Sequence, residues 1–133
     1  MPNIQTKRKA ERDLAKGKSA STAAGEFVRE EVHHIRKGKH GARNAKQAIA
    51  IGLSEARRAG VDVKPGATAS KAVKAKAAKE SARAGKATNP KRSRASTRAL
   101  RKEPHAAASR SALSRQAKAS AARRRKVGRP AAR

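Results

Sequence analysis

Four side chains that could share a metal ion lie close together in the sequence: Glu30, His33, His34 and His40. Imidazole and carboxylate donors are the usual ligands of zinc. His33 and His34 are adjacent, however, and neighbours on a helix do not share a face. The four therefore read as solvated side chains or phosphate contacts, and no metal and no cofactor is expected. The chain has no cysteine, so it offers no thiolate nucleophile, no disulfide and no Cys-based zinc site. It has no glycine-rich phosphate loop after a strand and no carboxylate pair on a rigid scaffold. Glu30 and Glu31 stand in the first half of a helical stretch, where the helix dipole favours acids. The reading is that of a protein that is not an enzyme.

The residues that can do chemistry are instead the cations. Lys and Arg number 36 against 9 Asp and Glu, a net charge of +27 on 133 residues. Such a charge calls for a polyanion, and nucleic acid is the abundant one: neutralising phosphates releases counterions and gives salt-sensitive, largely sequence-independent binding. A membrane surface would need Trp, Phe or Leu opposite the lysines. Phe27 is the only aromatic residue, so no membrane partner is expected. The lack of aromatic stacking platforms favours duplex DNA over RNA. The residues expected to touch phosphate are Arg43, Lys46, Arg57, Arg58, Lys74, Lys76, Lys79, Lys91, Arg92, Arg94, Arg98, Arg101, Arg123, Arg124, Arg125, Lys126 and Arg129. Serines following arginine, at Arg92-Ser93 and Arg94-Ala95-Ser96, could accept phosphate and lower this charge.

The elements that must position these residues are sparse. Leu, Ile, Val and Phe together number fifteen. That is about 11% of the chain, below the roughly 20% at which high net charge implies disorder. Residues 44–60 carry the clearest helix: Ala45, Ala48, Ile49, Gly52, Leu53 and Ala56 share one face, Asn44 is the N-cap with Gln47 reaching back to it, and Gly60 is the stop. Residues 26–37 form a second helix, with Val28, Val32 and Ile35 on one face beside Phe27. About six residues join them, which implies an antiparallel hairpin. Its core is Phe27, Val28, Val32, Ile35, Ile49 and Leu53, with Val61 and Val63 covering its open end. Residues 18–25 read as a small-residue linker and helix start, and residues 1–18 as a basic arm. Residues 66–133 hold 21 Lys and Arg against two acids, a net of +19. They read as an Ala/Lys/Arg tail without an apolar stripe, broken at Asn89-Pro90.

The stretch GEFVREEVHHIRKGKHGARNAKQAIAIGLSEARRAGV resembles a family of small, basic, uncharacterised bacterial proteins. The later KRSRASTRALRKEPHAAASRSALSRQAKASAARRR is similar to the C-terminal half of such proteins. The resemblance implies a bacterial origin and no particular activity. The tail also resembles those of bacterial histone-H1-like proteins in composition. Lys126-Val127-Gly128-Arg129-Pro130 resembles a degenerate AT-hook, with Val127 where an Arg is expected.

The expected fold is all-α: a small helical hairpin with a thin core at residues 19–65, a basic arm at 1–18, and a long disordered, helix-prone basic tail at 66–133. The expected function is non-enzymatic, largely sequence-independent DNA binding by phosphate neutralisation, in the manner of a nucleoid-associated, histone-H1-like protein in the cytoplasm. A homodimer through the apolar stripe of Val28, Val32, Ile49 and Leu53 is a further expectation. The alternatives are an RNA-binding or ribosome-associated basic protein, or a protein-binding adaptor that its tail tethers to nucleic acid.

Overall fold

Helix capping organises this chain from end to end. The structure is a computed structural model; it describes residues 3–66 and 69–128, with side chains through Lys126. Among the described residues there are six α-helices, one 3-10 turn and no strand: α1 (Ile4–Ala15), α2 (Ala20–Arg36), α3 (Ala45–Arg58), α4 (Lys71–Ala82), α5 (Pro90–Arg101), the 3-10 turn (Ala106–Ala108) and α6 (Arg110–Gly128). Each α-helix opens on a Ser or Asn whose side chain accepts an amide hydrogen of the first turn. The caps are Asn3, Ser19, Asn44, Ser70, Asn89 and Ser109. Such a cap typically contributes about 1 kcal/mol by satisfying an otherwise orphaned donor.

Helices α2 and α3 form the antiparallel hairpin. Phe27 packs with Ala56 and Leu53 near one end, and Ile35 and Val32 pack with Ala48 near the other. The helices cross with backbones nearly touching. A Cβ added to Gly52 would stand 2.6 Å from Val28 Cα. That approach lets an alanine-rich pair of helices exclude water with few large side chains. After α3, Gly60 takes φ +101° and Val61 N–H bonds Ala56 C=O at 2.9 Å, the pattern of a left-handed helix stop. Val61 and Val63 then fold back against Ala56 and Phe27.

Several boundaries differ from the sequence reading. Helix α2 begins at Ala20, inside the stretch read as linker and helix start, because Ser19 caps it and Ala23 and Ala24 are buried against Ala10 of α1. The small residues at 20–24 are therefore the first turns of α2 and a packing surface. Helix α1 lies on α2 through Ala10, while its larger Ile4 and Leu14 are exposed. Gln47 accepts from the Arg43 amide rather than from that of Asn44.

The largest correction concerns the tail. Residues expected to be disordered instead form α4, α5, the 3-10 turn and α6. Two docks explain the order. Glu80 of α4 accepts from Ser54 Oγ at 3.0 Å and pairs with Arg57 at 3.5 Å, while Gly85 N–H bonds Arg58 C=O at 3.0 Å. Further on, Ala107 and Ala108 are buried with Ile35, Ala42 and Ala48. Arg36 Nε donates to Ala108 C=O at 2.8 Å, Gly41 N–H to Leu100 C=O at 2.8 Å, and Ala42 N–H to Pro104 C=O at 3.0 Å. The Asn89-Pro90 step, read as a break, is the N-cap and first residue of α5, where proline's fixed φ suits a helix start.

Two glycine substitutions separate these layers. Gly52→Ala forces the hairpin helices apart and is expected to cost about 1–3 kcal/mol of global stability. A methyl group on Gly41 would collide with the carbonyls of Glu103 and Pro104. Gly41→Ala should leave α1 to α3 protected while amide exchange accelerates across residues 90–108. Hydrogen exchange read by mass spectrometry checks both, and equal loss of protection in the two variants would contradict the two-layer description.

Candidate nucleic-acid interface

Helix α5 carries the most ordered array of cations. At about 100° per residue, Lys91, Arg94, Arg98, Arg101 and the C-cap Lys102 fall within one sector of roughly 100°. All five are exposed, and so is Arg92 on another side of the helix. No residue of α5 is buried. The helix is held at its C-terminal end, through Leu100 C=O on the Gly41 amide. Among the described residues the ion pairs engage Lys18, Arg29, Arg57, Lys64 and Lys76, together with His34 and His40, and no cation of α5.

The other expected phosphate contacts are distributed. Arg43 and Lys46 are exposed at the N-terminus of α3, and Arg58 is exposed at its opposite end. Lys74, Lys76 and Lys79 are exposed but spread around α4. Lys76 leans on Glu80 at 3.9 Å. Arg123, Arg124, Arg125 and Lys126 are consecutive on α6 and so surround it. Arg129 lies outside the described residues. Arg57 does not belong to this surface. It is 8% exposed, its Nε donates to Val63 C=O at 2.7 Å, and its Nη1 meets Glu80. Its charge ties α3 to the return segment and to α4.

Sequence reasoning missed Arg110, Arg115 and Lys118 of α6, which are exposed. Arg115 and Arg43 line a cleft of about 460 Å³ between the start of α3 and α6, together with Asn44, Pro104 and Gln116. The only signal for Arg115 was the helix-prone character of its stretch.

The expected hairpin core is arranged in two shells. Phe27 and Ile35 are fully buried, while Val28, Val32, Ile49 and Leu53 are half-buried. Alanines of α1 and α2, Val61 and Val63, and the 3-10 turn pack around them. Much of the apolar stripe that suggested a homodimer is thus covered by the chain itself.

A second feature lies on the polar side of the hairpin. Glu31, 3% exposed, stands between two rings, with Oε1 at 3.4 Å from His34 Nδ1 and Oε2 at 3.0 Å from His40 Nε2. His34 Nε2 is 3.5 Å from Glu30 Oε1, which also accepts the Asn3 amide at 2.8 Å. The two rings meet edge to face with centroids 6.2 Å apart. His33, by contrast, is exposed. Glu55 of α3 joins the group. Burial, then the charge of Glu31 and a hydrogen bond shared with it, push the Glu55 carboxyl up from its ordinary 4.5 to about 9.

The fold and its surface define an all-α, strongly basic protein built on a helical hairpin. Residues 15–66 match a family of unknown function, DUF6496. The match takes in α2, α3 and the return segment; α4, α5 and α6 lie beyond it. No curated protein and no solved structure matches the chain. Among the described residues no helix is long and apolar enough to cross a membrane.

Glu55 makes stability depend on pH with a definite sign. An acid held neutral in the fold but ionised when unfolded stabilises fully below about pH 4.5, and that contribution is lost as pH rises towards about 9. With a chelator present, the thermal midpoint of the native chain is expected to fall between pH 5 and pH 8.5. Glu55→Gln, which stays neutral, should flatten that fall and melt higher than the native chain at pH 8.5. Parallel curves for the two proteins would contradict the assignment.

Proposed function

We propose that the protein is a non-enzymatic, largely sequence-independent binder of duplex DNA, of the nucleoid-associated kind, and that α5 is its principal DNA-facing element. One observation carries this reading: a stripe of five exposed cations on a helix with no buried residue and, among the described residues, no acidic partner. A bare helix of this width fits the major groove, about 12 Å across, or lies along the phosphates that edge it. Docking at Gly41 and Ala42 fixes the C-terminal end of α5, so less ordering entropy opposes binding than for a free polycation.

The scattered cations of α4 and α6 and the Arg43–Arg115 cleft extend the same field. They would raise affinity without selecting a sequence, since phosphate contacts position a protein and carry no base information. The stripe of α5 has no aromatic residue among its arginines to stack an unpaired base, which supports duplex over single-stranded or looped RNA.

The test is a salt-dependent competition titration. Full-length protein meets equal phosphate amounts of mixed-sequence duplex, A·T-rich duplex and structured RNA. Duplex DNA is expected to win with a steep dependence of log K on log salt. Replacing Lys91, Arg94, Arg98, Arg101 and Lys102 by Gln should reduce that slope by about 0.9 per lost phosphate contact, with unchanged helicity. RNA winning at physiological salt would replace DNA as the partner. An unchanged slope in the five-fold variant would remove α5 from the interface.

A further inference from the structure

We propose that Glu31, His34 and His40 form a binding site for a single divalent transition-metal ion of the zinc class, which clamps α2 to the loop between α2 and α3. The three residues offer ligand atoms that all lie within 4.8 Å of one another. Tetrahedral zinc, with bonds of about 2.0–2.1 Å to nitrogen and oxygen, sets neighbouring ligand atoms about 3.4 Å apart. The two carboxylate oxygens of Glu31 reach one ring each, Oε2 at 3.0 Å from His40 Nε2 and Oε1 at 3.4 Å from His34 Nδ1, so either oxygen starts near that spacing from one histidine.

Proton bookkeeping makes the geometry specific. His40 Nδ1 lies 2.9 Å from Gly41 C=O. A carbonyl only accepts, so this nitrogen carries the hydrogen. In the neutral ring Nε2 is then a bare lone pair, and it faces Glu31 Oε2. Two acceptors in contact need a proton or a cation between them. His34 repeats the arrangement, with a carboxylate oxygen beside each ring nitrogen. If Nε2–H donates to Glu30, the lone pair of Nδ1 turns to Glu31. Both rings therefore have the outer partner typical of metal-bound histidine, a carbonyl for His40 and a carboxylate for His34, and their free nitrogens converge on Glu31.

A second observation is independent of the ring geometry. The buried Oε2 atoms of Glu30 and Glu31 receive no hydrogen bond. Among the described residues no lysine or arginine pairs with either. Leaving buried carboxylates uncompensated is costly, and this chain has 36 Lys and Arg from which to supply a partner. The cluster has histidines in that place instead. Two imidazoles with one carboxylate select zinc and its transition-metal neighbours over magnesium or calcium, which prefer all-oxygen sites.

The site also has a place in the architecture. His40 directly precedes Gly41 and Ala42, whose amides hold Leu100 and Pro104. Metal bound at His40 would fix the loop on which the C-terminal helices dock.

The test uses full-length protein stripped with chelator, dialysed into phosphate-free buffer at pH 7.5 and titrated with zinc chloride by calorimetry. One zinc per chain and a raised thermal midpoint are expected. Cobalt(II), as a spectroscopic probe, should give the visible absorption of a four-coordinate ion, and zinc should displace it. His34→Gln, His40→Gln and Glu31→Gln should each abolish saturable binding while far-ultraviolet dichroism stays helical. Glu30→Gln, which removes only an outer partner, should weaken it by about 10–100-fold. His33→Gln, on the adjacent exposed residue, should bind as the native chain does. Absence of saturable zinc binding would overturn the site and leave protons as what fills the cluster. Loss on His33→Gln equal to that on His34→Gln would overturn it as well.

Discussion

An alanine buries so little area that helices held together by alanines must bring their backbones almost into contact. That constraint governs this protein. Ala23, Ala24, Ala48 and Ala56 are completely buried, and among the described residues Phe27 and Ile35 are the only large side chains fully enclosed. Gly52 against Val28 supplies the contact distance at the crossing of α2 and α3, and the bare Cα of Gly41 supplies it again where the 100–104 segment meets the hairpin. Remove either close approach and the surrounding alanines lose the neighbours that make their burial worth anything. The core is thus two small clusters spaced along one hairpin, one closed by α1 and the 61–63 segment, the other by the 3-10 turn.

The parts of this fold legible in the sequence were those fixed by local rules. Asn44 as a cap and Gly60 as a stop depend only on their neighbours, and the apolar spacing of α2 and α3 marked the hairpin. What was missed depended on distant contacts. Residues 20–24 looked like part linker and part helix start because alanine and serine serve both, and only Ala10 of α1 decides between them. The C-terminal half looked disordered because composition counts large apolar residues and takes no account of caps. Ser70, Asn89-Pro90 and Ser109 were nonetheless readable as three helix starts. The basic character of α5 was legible, but its freedom from partners was not. Arg57 was misplaced because residue type cannot tell a surface cation from one that a carbonyl and a buried Glu80 draw inward. The grouping of Glu31, His34 and His40 was not legible from the adjacent pair His33 and His34: Glu31 and His34 are three apart on one face of α2, and His40 joins them only because the 37–44 loop doubles back.

Charge divides along the same lines as packing. The hairpin carries most of the chain's acids, with Glu30 and Glu31 turned to the histidines and Glu26 paired with Arg29, and Arg36 and Arg57 spend hydrogen bonds on backbone carbonyls. The excess lies on helices that touch the hairpin at few points. Self-repulsion among those cations is tolerable because they are spread over exposed helices rather than gathered around a core. Each dock uses one acid or a few carbonyl groups.

The dock between the hairpin and the 100–108 segment is written almost wholly in main-chain atoms. Two amides of the loop meet two carbonyls, a third carbonyl takes Arg36, and the side chains enclosed are alanines around Ile35. An attachment of that kind places no demand on the outward face of α5. Lys91, Arg94 and Arg98 could drift to other residues over evolutionary time, or be exchanged by design, and the hairpin would still hold the helix in the same place. The protein is in this sense a mount with an interchangeable head: one half keeps the geometry, and the outward side chains of the other are free to change.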